Sequence, residues 1–391
     1  AMEGDMMYDL GGDMLFDAAS TMGANDFMMM DPDSAFGMFD AMGPEMVFDL
    51  GGDQMAGMFS AMEGEQIRGM DADMAFGAFE SIGAGGFDML GGEQMVGMFD
   101  AMAPEMMYDL GGDMLFDAAS TMGAQDFMMM DHDAAFGMFD AMGPDMIMDL
   151  GGDQMAGMFS AMEGDMFMDI GGDMLFDAAS TMGAQDFMMM DHDAAFGMFD
   201  AMGPDMIMDL GGDQMAGMFS AMEGDMFMDI GGDMLFDAAT GMGAQDFMMM
   251  DHGAAFGMMD AMGFDAVKDL GGEQMAGMFG AMEGDQLGAM GAERAFDAMM
   301  DMGMGTAMEF MGGDQMAGML GAMEGDMFGA FGGDMLFDAA MNMGAQDMMG
   351  MPPEAAFGMV ETMGFDMMLE LPGDAMAGMF GAMEGDMFAQ M

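Results

Sequence analysis

The residues able to do chemistry in this chain come in copies. Asp131-His132-Asp133 recurs as Asp191-His192-Asp193, and His252 follows Asp251 at the same place once more. Carboxylates so spaced suit hard divalent cations, and calcium takes roughly six to eight oxygen ligands. Asp213 and Asp233 open neighbouring segments in the same way. The candidate calcium ligands are therefore Asp131, Asp133, Asp191, Asp193, Asp213 and Asp233. A plainer role competes: acids at helix starts cap the backbone and offset the helix dipole, by about 0.3–1 kcal/mol each. The repeated Gly-Gly-Asp is neither an EF-hand loop nor the full nonapeptide of calcium β-rolls. The histidines stand where an earlier copy carries Pro32, which marks a helix-start position.

Methionine sulfur is the second chemistry. The chain holds 87 methionines, among them Met188-Met189-Met190. Thioethers suit Cu(I), so a copper store is one function to weigh. Core packing is the other, because Met fills irregular gaps between helices. Met in place of Leu keeps volume while loosening side-chain specification, which predicts an array easier to stretch or bend. Nucleophilic chemistry has no support: there is no cysteine, no Gly-x-Ser-x-Gly and no phosphate loop ending in Lys. A catalytic pair of carboxylates needs one pocket, and here every local feature is copied. The reading is non-enzymatic, with no cofactor unless calcium serves as one.

These residues ride on a twenty-residue repeat. Ala195, Met198, Phe199 and Met202 align with Met215, Met218, Phe219 and Met222, then with Leu235, Ala238, Ala239 and Met242. Each set is spaced i, i+3, i+4, i+7, one face of an α-helix. Shorter apolar pairs fall between them: Phe187 and Met190, Ile207 and Leu210, Phe227 and Ile230. Fixed periods of this length are the mark of solenoids. The expected fold is all-α, a superhelix of units that each pair a short helix with a longer one. The alternative is a β/α solenoid like the leucine-rich repeats, with Phe187-Met188-Met189-Met190 as a strand. The acid after Pro44, Pro104, Pro144 and Pro204 favours the helix. Gly203 and Gly224 fit left-handed helix stops. Mid-helix Gly157, Gly197 and Gly217 cost about 1 kcal/mol each against Ala. Asp177 and Asp237 fill the same position elsewhere, so the environment should alternate, close approach at Gly and solvent at Asp.

One continuous array is expected over 1–391. Its blocks are 1–60, 61–100, 101–160, 161–220, 221–280, 281–321 and 322–381, and both ends fall inside the repeat, as in a processed chain or a window of a longer one. Met202-Gly203-Pro204-Asp205, Leu210 and Gly212-Asp213, leading to Met215, Met218 and Met222, resemble the amino-terminal repeat domain of MgtE-type magnesium transporters. That resemblance covers most of the chain, with Met standing where the family has Leu. It implies a right-handed superhelix of short helices and an acidic surface that takes up divalent cations. The transporters' membrane and nucleotide-binding-like domains have no counterpart, so transport is not implied.

Charge narrows the partners. The formal net charge is −70, from 73 acids against Arg68, Lys268 and Arg294. Phosphate binding needs basic residues, which excludes nucleic acid, and adhesion to anionic membranes is excluded likewise. No apolar run reaches the roughly eighteen residues of a membrane span. With 53% hydrophobic residues the chain can build a core and is expected to be ordered. Its self-repulsion should ease at high ionic strength or with divalent cations. The expected function is structural: an acidic, cation-stabilised repeat in an extracellular or cell-surface fibre, sheath or scaffold. Its partners would be itself, head to tail or laterally, and divalent cations. A calcium-responsive elastic or contractile element is the alternative beside the copper store.

Overall fold

The computed structural model describes residues 9–385 and Met387 and is an all-α solenoid. Short and long helices alternate, and no strand occurs among the described residues. The strand alternative fails at Ala184–Met188, which is a helix. Its Asp186 carboxylate accepts the Gly183 N–H at 2.8 Å, satisfying a backbone donor that a helix start leaves orphaned. The same arrangement recurs at Asp126 and Asp246. The chain gathers its contacts into two compact units, Ala1–Met202 and Gly203–Met391, taken separately below.

The long helices begin and end as their sequences direct. Asp31, Asp131 and Asp251 are caps whose carboxylates accept the N–H two residues on, ahead of Pro32, His132 and His252 at the first helical position. Gly203 adopts φ 75°, the left-handed stop expected of it. Gly224 does not. It lies in the turn before Phe227–Ile230, outside the left-handed region, with Gly257 packed close by. The three aligned apolar sets are buried throughout. Of the shorter pairs, only Ile230 stays partly exposed.

Which helix lies against which follows a longer step than the repeat. In the first unit Gly64–Arg68 packs on Gly92–Ala101, and Ala124–Phe127 on Gly152–Ala161. In the second, Ala244–Met249 packs on Gly272–Ala281, and Ala345–Gly350 on Gly373–Ala382. Each partner is the third helix along, so a short helix meets a long one. Glutamines fasten this step. Gln154 Oε1 accepts the Gly151 N–H at 3.1 Å, while its Nε2 donates to the Met122 carbonyl at 2.8 Å, 32 residues back. Gln274 does the same with Gly271 and Met242. The brick is twenty residues and the packing step about thirty. They return to phase after sixty, the length of the full sequence block.

Within the first unit, Phe159 bridges Phe139 and Phe167 at centroid distances of 5.6 and 5.7 Å. In the second, Phe219 and Phe227 stand 5.8 Å apart. Such spacings give aromatic pairs a geometric preference that the flexible Met side chain cannot supply. No described helix is long and apolar enough to cross a membrane.

Candidate functional site

The structure brings four of the six candidate ligands into two groups. Asp131, His132 and Asp133 can place one ligand atom each within 4.8 Å of one another, and so can Asp191, His192 and Asp193. In both groups the first Asp is already occupied as a cap, accepting from Asp133 N at 3.1 Å and from Asp193 N at 3.0 Å. The histidines are about two-fifths exposed, and His132 Nε2 lies 3.8 Å from Glu163 in the turn after Gly152–Ala161. Three ligands, one an imidazole, fall short of a calcium shell unless water completes it. Asp213 and Asp233 join neither group. Each sits exposed in the first turn of its own helix, Gly212–Ala221 and Gly232–Gly241.

Methionine divides in two. Met155, Met158, Met215 and Met218 are buried to within 1% exposure, as core packing requires. Met188 and Met189 stand 41% and 42% exposed, while Met190 turns back into the core. The triplet therefore does not converge on one point, which a Cu(I) site would need.

The most developed electrostatic feature carries no motif. Asp100, its side chain 3% exposed, accepts from Arg68 Nε at 2.9 Å and from the Asp131 N–H at 2.8 Å. Arg68 also pairs with Glu65 at 2.9 Å and reaches the Met129 carbonyl. Burial pushes the Asp100 carboxyl above its usual range, opposed by the Asp131 N–H and the Arg68 guanidinium. At the equivalent places Ser160 and Ser220 accept from Asp191 N and Asp251 N through a hydroxyl. The sequence held only a faint signal here: Asp100 stands where the equivalent copies carry Ser60, Ser160, Ser220 and Gly280, although Gly-Met-Phe-Asp itself recurs elsewhere in the repeat.

The other cations are likewise used inside the second unit. Lys268 Nζ lies 3.1 Å from Asp297 and 3.5 Å from Asp301, and its hydrogen bond to Asp297 raises its pKa. Arg294 stacks over Phe264 at 5.8 Å. The Tyr108 hydroxyl donates to Asp140, which raises the phenol's pKa.

No protein-family model matches the chain, and no curated protein matches it. Among solved structures it is similar to an engineered protein, with 11% identity, a TM-score of 0.30 and 98% of each chain covered. It is also similar to Kap121p bound to Nup53p, at 10% identity and a TM-score of 0.28. That match covers 93% of this chain and 43% of Kap121p, so this chain spans less than half of that one. Likeness at this level adds nothing to the fold already described and says nothing of function.

Proposed function

We propose that the chain is a non-enzymatic structural repeat, an acidic scaffold of an extracellular fibre, sheath or cell surface held compact by cations from the medium. One observation carries this reading: the same inter-helix fastening is copied along both units, while Arg68, Lys268 and Arg294 are all engaged internally. The remaining acids then need counter-ions from outside. Self-association, head to tail or lateral, belongs to this reading, since screened repeats can abut.

The test is the urea unfolding midpoint as a function of NaCl, and of CaCl2 at matched ionic strength. The scaffold reading expects the midpoint to rise steadily with ionic strength. A midpoint independent of salt would overturn it. A calcium effect well beyond ionic strength, with shortening seen by small-angle scattering, would favour the calcium-responsive element. The paired Asp-His-Asp groups are the observation behind that second reading. Copper copurifying near one atom per unit would favour the store instead.

A further inference from the structure

The short helices bury one anchor and leave the next residue exposed or half-exposed. Phe167 and Phe227 are fully buried, while Met168 and Met228 after them are each 55% exposed. In three copies the outward residue is Arg68, Tyr108 or Lys268 instead. All three reach acids on the packed partner helix. Arg68 and Tyr108 meet Asp100 and Asp140, 32 residues on, and Lys268 meets Asp297 and Asp301. The same count of 32 leads from Met168 to Asp200 and from Met228 to Asp260. Both carboxylates are exposed, and neither accepts a hydrogen bond or ion pair from a described residue.

We propose that Met168 with Asp200 in the first unit, and Met228 with Asp260 in the second, are each by itself a docking notch for one Lys or Arg side chain of a basic amphipathic protein segment. The aliphatic stem of the incoming side chain lies along the pliable thioether, and its charged head rests on the carboxylate. Lys268 and Arg68 show that this position seats a cation against the partner helix. Charge decides the occupant. A second copy has its own three cations already engaged and offers none to these notches, whereas a basic segment is drawn in.

The probe is a helical peptide of Lys and Leu in amphipathic order, read by fluorescence anisotropy against the full chain in 0.15 M NaCl. A scrambled peptide of the same composition is the control. The double variant M168K with M228K supplies the cation internally and should weaken binding about fivefold, given up to about 1 kcal/mol for each exposed pair. The charge-matched double variant M189K with M249K changes exposed methionines of the next repeat, 21 residues on from Met168 and Met228. It should stay within about twofold. D200N with D260N should reproduce the loss. Urea midpoints at or above the parent's establish that the variants are folded. Equal weakening by both Lys pairs, equal binding of the scrambled peptide, or full binding by D200N with D260N would each overturn the proposal.

Discussion

Two ten-residue helices of the first unit, Gly152–Ala161 and Gly172–Thr181, share a length and an apolar face yet meet their neighbours differently. At the middle of the first, Gly157 is buried. A Cβ there would lie 2.4 Å from the Ala124 carbonyl oxygen and 2.7 Å from Ala124 Cα. At the middle of the second, Asp177 is exposed. The difference lies 33 residues upstream, where the short helix begins with Ala124 in one case and Pro144 in the other. Opposite Ala124 the backbones close up so far that only glycine fits, although the first residue of the short helix does not decide this alone, since Ala84 faces Asp117 and Pro44 faces Gly77. Gly97 against Gly64 and Gly277 against Ala244 repeat the tight case. Asp237 after Pro204 and Asp297 after Phe264 repeat the open one. Gly137 is intermediate, since a Cβ there would stand 3.2 Å from Pro104. The helix-propensity cost of these glycines thus has a local cause: a partner backbone one packing step away.

The most severe way to break this pairing is to change the step. Deleting 141–160 would set Ala124 opposite Asp177 and bring Asp186 over His132, where Gly152 now leaves room for its carboxylate. Deleting 101–160 removes two whole packing steps and keeps the register, with Ala84 then opposite Asp177 as it is opposite Asp117 now. The first deletion should cost about 1–3 kcal/mol, from the overpacked contact where Asp186 meets His132. The second should keep the urea midpoint near the parent's, and circular dichroism through a urea series reads both. Equal losses would mean that the thirty-residue step does not govern packing.

The tight contact between Gly64–Arg68 and Gly92–Ala101 carries an ion pair as well. R68M leaves the Asp100 carboxylate without its cation and should destabilise by about 1–2 kcal/mol, less than a fully buried pair because Arg68 is 40% exposed. Adding D100S, the residue of the sibling copies, should recover most of that loss because no buried charge remains. A double mutant as unstable as R68M would show that Arg68 acts by packing alone.

G157A should destabilise by about 1–3 kcal/mol, despite the better helix propensity of Ala, because the clash is with backbone. D177A should stay within about 0.5 kcal/mol. The smallest effect is one of pH. The folded Asp100 carboxyl titrates above its ordinary value, so the folded state holds its proton longer than the unfolded state does. Stability should therefore fall as pH rises from the ordinary Asp value of 3.8 through the raised one, and D100S should lose that component. Guanidinium unfolding at several pH values, parent minus variant, measures it. A difference curve rising with pH would contradict the assigned cause.

Much of this was legible in the residues alone. The twenty-residue period, the buried faces, the Asp caps and the Gly203 stop are local, and helical spacing or backbone chemistry over a few positions fixes them. The alternation of Gly157 with Asp177 was legible as well, though not its cause. The Asp131/Asp133 and Asp191/Asp193 pairs could be read because their members adjoin in sequence, whereas the histidine between them read only as a helix start. Tertiary structure alone decided that a helix leans on the third one along, that Asp100 meets Arg68, and which methionines face solvent. The physical reason is degeneracy. A repeated apolar face suits almost any neighbour, and the choice among neighbours rests on the room beside a few glycines and the reach of a few side chains about thirty residues apart.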